Sequence, residues 1–225
     1  MSKPPFTAAI ASVAVFLVAL PAAGQDLEVG AEAGVNVSDF DVEAGTDVEP
    51  SSTTGFRIGA VARLRLGPTL GLESGLHYSE KGARIGPVVT APAGFPGPDV
   101  AFNGELRLRY LEAPLLLAFE VPTGGPVTPR LLAGGLLSLE VGCEIARFGA
   151  SPSCDEVGPD TRAATLGAVV GGGLDVAVGP GAVTVAARYE HGLTDVIDDP
   201  EIADSESDQT LRSLALSAGY VVGLP

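Results

Sequence analysis

The sequence predicts an all-β fold, an eight-stranded antiparallel up-and-down transmembrane β-barrel with four long extracellular loops and short periplasmic turns. Three observations predict it. Apolar and polar residues alternate with period two in eight segments, which is the pattern of β-strands. The segments are close to the length of about 9–11 residues that a tilted strand needs to cross a bilayer. Short turns and long loops alternate between the segments, as they do in membrane barrels.

The two faces of these segments differ in chemistry. One face is largely Leu, Val, Ile and Ala, and the other carries Arg, Glu and Asp among Gly, Ala and Ser. In a soluble sheet the apolar face points into a core, whereas in a membrane barrel it points outward to lipid. The even number of segments and the alternation of their connections favour the membrane barrel, which sends the charged face into the interior.

The first three strands are predicted at residues 27–37, 56–66 and 70–78. The first pairs an apolar side that begins at Leu27 with a polar side that includes Glu32. The second sets Arg57 and Arg63 against an apolar side, and the third sets Glu73 against leucines. Each alternation continues long enough to predict one buried and one lipid-facing side.

The fourth strand is predicted at residues 102–119. Here Leu108 and Tyr110 alternate with Arg107 and Arg109, so the two arginines are predicted to point inward. Beyond Pro114 the apolar residues continue in the opposite phase. Because proline cannot donate to a strand ladder, the sequence predicts a bulge or bend at this point.

The remaining strands are predicted at residues 130–141, 164–178, 183–190 and 212–222. Short turns are expected at residues 67–69, 122–129 and 179–181, and long connections near residues 39–54, 80–101, 142–162 and 191–210. The long connections are acidic and contain few large apolar residues. They therefore cannot form a core of their own.

The charged face predicts an enclosed polar network. An eight-stranded barrel is just wide enough for its own side chains to fill, and enclosed charges must pair or they cost much free energy. Both signs of charge occur on this face, which favours a salt-bridged plug over an open pore. The residues predicted to form the network are Arg63, Arg65, Glu73, His77, Arg107, Arg109, Glu120, Arg130, Glu140, Asp175 and Arg188.

The first 24 residues predict a secretory signal peptide, which leaves residues 25–225 as the barrel domain. Lys3 precedes an apolar run over residues 8–20, and small residues follow at 22–24. An uncleaved membrane anchor is the alternative, and Pro21 disfavours it. Export would place the chain in an oxidising compartment.

Charge and cysteine content narrow the possible partners. The formal net charge of −15 disfavours nucleic-acid binding, which needs clustered Lys and Arg. In an oxidising compartment Cys143 and Cys154 are predicted to form a disulfide. Two cysteines without a nearby histidine make a poor zinc site, and no motif predicts a cofactor.

Several short motifs occur in an order that is similar to one known family. They are Tyr78–Gly82 (YSEKG), Tyr110–Leu115 (YLEAPL), and Arg188-Tyr189 followed by Gly192–Thr194 (GLT). Together they resemble the PorT-like outer-membrane β-barrel proteins, which are eight-stranded barrels of the OmpA/OmpX kind. The resemblance covers about residues 27–223. It implies an outer-membrane location and implies no chemistry.

The stretch GLHYSE raises the possibility of a hydrolytic site, because some lipid A deacylases are small outer-membrane barrels with a His-x-Ser pair and a glutamate. In those enzymes the pair faces lipid. Here Leu76 and Tyr78 take the lipid-facing phase, which directs His77 and Ser79 inward. The sequence therefore favours a structural role for His77 in the interior network.

The predicted function is that of a monomeric, non-enzymatic outer-membrane barrel surrounded by outer-membrane lipid. Its acidic extracellular loops are expected to serve envelope integrity or interaction with a surface partner of unknown identity. The loop DDPEIADSESD could offer carboxylates to Ca²⁺, but it lacks the spacing of an EF-hand. The alternatives are a lipid-modifying outer-membrane enzyme, a narrow channel for small solutes and a soluble exported barrel that binds an apolar ligand.

Overall fold

The computed structural model describes residues 26–41, 50–89, 101–146, 153–154, 162–196 and 210–225. These residues form a closed barrel in which each strand pairs with its neighbours in sequence and the last pairs with the first. The strands are β1 (Leu27–Asp41), β2 (Pro50–Arg65), β3 (Leu70–Val89), β4 (Ala101–Glu120), β5 (Val127–Ala146), β6 (Ala164–Val178), β7 (Gly181–Gly192) and β8 (Thr210–Gly223). The predicted eight-stranded antiparallel barrel is confirmed. No helix among the described residues is long and apolar enough to cross a membrane.

Closure is made by β1 and β8, which pair antiparallel from Glu28 opposite Gly223 to Asp41 opposite Thr210. All other neighbouring strands also pair antiparallel. A closed sheet satisfies the backbone groups of every spanning strand without an edge, which is the condition for crossing lipid.

Tight connections lie at one end of the barrel, called here the turn end. The tightest is Gly179-Pro180, because Val178 pairs directly with Gly181. Gly179 has a φ of 61°, and two-residue hairpins favour glycine at their first central position. The opposite end, called the loop end, receives the four longer connections.

The lower wall, toward the turn end, is apolar outside, and inside it encloses charged side chains beside a small apolar cluster of Leu116, Ala118, Leu132, Leu136 and Val169. Leu115, Leu131 and Val170 are each more than half exposed on the outer surface, whereas Glu73 and Arg130 are fully buried. This arrangement is the inverse of a soluble protein and matches a barrel in lipid.

Toward the loop end the polarity of the wall reverses. Phe40, Ala83, Leu108, Tyr110 and Val196 form a buried apolar cluster, called here the apolar cap, in the interior. The outer surface of β3 and β4 at the same level is charged. These strand extensions therefore have the polarity of a soluble protein, with an apolar core and a hydrated exterior.

This reversal corrects the expectation for the fourth strand. The pairing of β4 with β5 continues unshifted through Pro114, and the register shift lies instead opposite Arg109 and Tyr110. Inward and outward sides alternate without interruption from Leu108 to Ala118. The apparent change of phase arises because the strand passes from lipid into water, so that apolar residues change from the outer to the inner side.

The strands are also longer than the sequence suggested. They contain 12 to 20 residues, and β3, β4 and β5 contain 20 each. The excess lies at the loop end, where apolar residues face inward and the membrane-type pattern is lost. The predicted signal peptide and residues 197–209, which contain most of the acidic stretch, lie outside the described residues.

Candidate functional site

The interior of the lower and middle barrel holds a continuous set of ion pairs, called here the interior network. It contains five carboxylates, five cationic side chains and one histidine from seven of the eight strands. With the histidine neutral, its formal charge is zero, which is the condition for enclosing so many ions. The members are Glu32, Arg57, Arg63, Glu73, His77, Lys81, Glu112, Arg130, Asp175, Arg188 and Glu190.

Glu73 on β3 is the lower centre of the network. Its Oε2 accepts hydrogen bonds from Arg63 Nε at 2.8 Å and from Arg130 Nη1 at 2.6 Å. Its Oε1 accepts from Arg188 Nη2 at 2.8 Å. Arg63 and Arg130 also contact Asp175 on β6, at 3.2 and 2.8 Å. One carboxylate thus ties together β2, β5 and β7 across the lumen.

Arg188 on β7 connects this centre to the middle of the barrel. Its two Nη groups donate to the carboxylate of Glu32 on β1 at 2.6 and 3.1 Å. Glu32 also contacts His77, whose Nε2 lies 2.9 Å from Oε1. The bidentate contact fixes the guanidinium between two carboxylates on different strands.

The upper centre is formed by Lys81 and Glu190. Lys81 Nζ lies 2.5 Å from both Glu112 and Glu190, and it is fully enclosed by the barrel. Arg57 Nη1 donates to Glu190 at 2.6 Å and to Glu112 at 3.2 Å. Ser213 on β8 adds a hydroxyl hydrogen bond to Glu190 at 2.9 Å. Two cations and two carboxylates therefore close the lumen below the apolar cap.

Small residues on the inward side make room for these long side chains. A Cβ on Gly59 would lie 2.5 Å from Cδ2 of His77 and 2.3 Å from the carbonyl oxygen of Leu76. A Cβ on Gly75 would lie 2.7 Å from Cε1 of the same ring. The imidazole thus occupies space that only glycine leaves free on two adjacent strands.

The geometry of His77 and Ser79 disagrees with a hydrolytic site. Both side chains are buried in the interior. Ser79 Oγ accepts a hydrogen bond from Asn36 Nδ2 at 2.6 Å, while His77 is directed to Glu32. A nucleophilic serine must donate to its base, and none of the hydrogen bonds among the described residues joins this pair. The arrangement is structural polar packing.

Several residues predicted for the network lie elsewhere. The outer surface carries Arg107 and Arg109, whose side chains are 59% and 39% exposed. The prediction was wrong because it took the apolar side of β4 to be the outer side beyond the membrane. Arg65 lies at the rim of the turn end, 3.7 Å from Glu120. Glu140 is partly buried opposite Tyr110, at the level of the apolar cap.

Five members were absent from the predicted network: Glu32, Arg57, Lys81, Glu112 and Glu190. Arg57 was placed on the polar side of its strand but was not included in the network. Glu32 and Glu190 lie on the polar sides of their strands, so the alternation alone could have included them. Lys81 continues the phase of His77 but lies where a loop was expected. Glu112 was not included because the strand was predicted to bend at Pro114, two residues further along.

At the loop end, a disulfide joins Cys143 on β5 to Cys154. Cys154 is buried, and Cys143 packs against the apolar cap. A backbone bridge between Glu144 and Ser153 lies beside it. The predicted disulfide is present, and it holds Cys154 against β5. Within the described ranges no cluster of His, Cys, Asp and Glu could hold a metal ion.

Comparisons with known proteins agree with this geometry. The family model described as outer membrane protein beta-barrel domain matches residues 22–198. The structure of OprG from Pseudomonas aeruginosa is similar with a TM-score of 0.55 at 13% identity, covering 90% of this chain and 96% of that chain. At such identity the similarity shows the fold alone.

Two further solved structures are similar. Neisserial surface protein A has a TM-score of 0.44 at 21% identity, with 89% of this chain and 99% of that chain covered. The attachment invasion locus protein Ail of Yersinia pestis, in complex with a heparin analogue, has a TM-score of 0.43 at 17% identity, with 87% and 99% covered. None of the curated proteins matches the chain.

Proposed function

Because the chain belongs to the outer membrane protein beta-barrel domain family, we propose that it is a closed, non-catalytic barrel of the bacterial outer membrane that acts through its loop end. The observation that carries the proposal is the neutral interior network. Its cross-lumen contacts, such as Arg57 with Glu190 and Arg188 with Glu73, occupy the space that a solute would need. An eight-stranded barrel has no additional width for a water-filled path.

The absence of catalysis is part of the proposal. The serine and histidine that suggested a lipid-modifying enzyme face inward, where neither meets lipid and each has another partner. A lipid ester would have to displace the network to reach them. The order of the YSEKG, YLEAPL and GLT motifs supports a place within the PorT-like group of the family.

The loop end offers the surface for interaction. β3, β4 and β5 continue beyond the lipid-facing band as a charged sheet with its own apolar cap, and the disulfide joins Cys154 to β5. The segment 194–209 contains seven acidic residues and no basic residue. A loop of this composition favours a cationic partner surface, or divalent cations that connect it to neighbouring envelope components.

Two measurements test the proposal. Purified barrel in planar bilayers should give no steady conductance, and reproducible single-channel steps would contradict the closed lumen. In a strain that lacks the protein, wild type should restore detergent resistance or surface adhesion. A variant with the acids of residues 198–208 changed to amides should not restore it. Full restoration by that variant, folded to the same level, would contradict a role for the acidic loops.

A further inference from the structure

The outer surface of β3 and β4 carries a group of exposed arginines, called here the arginine patch: Arg84, Arg107 and Arg109. The chain as a whole has 28 acidic and 13 basic residues. Five of the basic residues are enclosed in the interior network. A concentration of three on one exposed surface is therefore unexpected in this protein.

The patch lies immediately beyond the lipid-facing band. The last apolar outward residues are Tyr78 on β3 and Leu111 on β4. Strands rise about 3.3 Å per residue, so Arg109 and Arg107 lie about 7 and 13 Å along the strand from Leu111. This is the level of the polar head groups that flank the hydrocarbon core.

Glu105 orients two of the three arginines. Its Oε1 accepts from Arg107 Nε at 2.8 Å, and its Oε2 lies 3.4 Å from Arg84 Nε. Both contacts use Nε, so among the described residues the terminal Nη groups of these two arginines have no side-chain partner. Hydrogen bonding to Arg107 lowers the pKa of the Glu105 carboxyl, which lies beyond the lipid-facing band. The carboxylate therefore remains charged and continues to hold both guanidiniums.

Exposure decides the charge that the patch presents. The side chains of Arg84 and Arg107 are 60% and 59% exposed, whereas Glu105 is only 20% exposed. Glu105 therefore lies underneath these two guanidiniums, whereas Arg109 is paired at 2.6 Å with Glu144, which is 32% exposed. A cleft of about 180 Å³ borders the patch, and its lining includes Arg107, Arg109, the hydroxyl-bearing Thr53 and Thr54, and the carboxylates of Glu80 and Glu105. Guanidinium forks and hydroxyls beside a small polar cleft are the groups that bind a phosphate.

We propose that the arginine patch binds the phosphate of a phosphorylated lipid head group in the outer leaflet. The height of the patch on the wall favours a lipid over a free anion, because the guanidiniums lie where head groups are anchored. The contact would also offset the repulsion between an acidic protein and an anionic lipid surface. It concerns the outer wall and does not depend on the proposed role of the acidic loops.

The test uses the full mature barrel reconstituted in phosphatidylcholine nanodiscs that contain a small fraction of bisphosphorylated lipid A. Lipid retained by the protein after detergent extraction is measured by mass spectrometry. The double variant Arg84→Gln with Arg107→Gln is compared with Arg65→Gln and Arg212→Gln, which removes two other exposed, carboxylate-paired arginines and changes the net charge equally. Gel mobility before and after heating verifies that each barrel is folded.

We expect the patch variant to retain at least about tenfold less lipid A than wild type. A tenfold difference corresponds to the loss of one charge-assisted hydrogen bond. The control variant should retain as much as wild type, and dephosphorylated lipid A should not be retained by either. Equal retention by wild type and the patch variant would overturn the proposal, as would an equal loss in the control. Displacement of lipid A by millimolar inorganic phosphate would show a free-anion site and overturn the assignment to lipid.

Discussion

Replacing Glu73 by glutamine should be among the most destabilising single changes in this barrel. The substitution keeps the size of the side chain and removes the negative charge that three buried arginines share, at 2.6–2.8 Å. Removing one partner of a buried ion pair costs about 3–5 kcal/mol, because the remaining charge stays buried without compensation. Asp175 still compensates Arg63 and Arg130 in part, so we expect the lower end of this range.

Unfolding of the purified barrel is measured in detergent or lipid at increasing denaturant concentration. The measured quantity is the fraction of protein that keeps the gel mobility of the folded barrel. Glu120→Gln is the matched control, because it also removes one carboxylate. Unlike Glu73, Glu120 pairs with a half-exposed arginine, Arg65, at 3.7 Å. Pairs of that kind contribute less than about 1 kcal/mol. Adding Arg130→Gln to Glu73→Gln should recover part of the lost stability, because one uncompensated cation is then removed.

If Glu73→Gln and Glu120→Gln lowered the free energy of unfolding equally, the interior network would contribute no more than surface ion pairs. The reasoning that ties barrel stability to enclosed charges would then be refuted. The same conclusion would follow if the double variant were the sum of the two single variants, since groups in one network must show coupling.

Three further outcomes are expected. Exported protein should contain no alkylatable thiol, as checked by mass measurement after alkylation. The double variant Cys143→Ser with Cys154→Ser should still insert into the membrane, because the bridge lies beyond the lipid-facing band. Heat-dependent gel mobility measures insertion, and failure to insert would contradict this placement. His77→Ala and Ser79→Ala should each leave the lipid A mass profile of the host unchanged, whereas removal of an acyl chain by wild type alone would identify an active site on β3. Gly59→Ala should destabilise the barrel by more than the roughly 1 kcal/mol that is typical of point mutations, because its Cβ would lie 2.3 Å from the backbone carbonyl oxygen of Leu76 and 2.5 Å from the ring of His77. A neutral effect in the same unfolding assay would show that both the strand backbone and the ring can move.

The alternation of side chains was sufficient to predict the strands, their number and the separation into a charged and an apolar side. These properties are local, since successive side chains in any extended strand point to opposite faces. For the same reason Glu73, His77, Arg130 and Arg188 were predicted on the inward side, and the structure places them there.

The partners within the network depended on closure of the barrel. Glu73 and Arg188 are 115 residues apart, and nothing in the sequence near either residue selects the other. Their contact is determined by the register of eight strands around one narrow lumen. The centres at Glu73 and Glu190 are consequently properties of the closed sheet.

Tertiary structure also decided which solvent each face meets. On β4 the alternation is continuous from Leu108 to Ala118, yet leucine faces inward at position 108 and outward at position 115. The sequence shows only that apolar residues change sides, which is equally consistent with a bend in the strand. The described structure resolves this, because the unbroken register through Pro114 shows that the backbone keeps its phase while its surroundings change from lipid to water. Arg107 and Arg109 therefore lie on the outer surface, since a charged side chain is stable facing outward only where the wall has left the hydrocarbon.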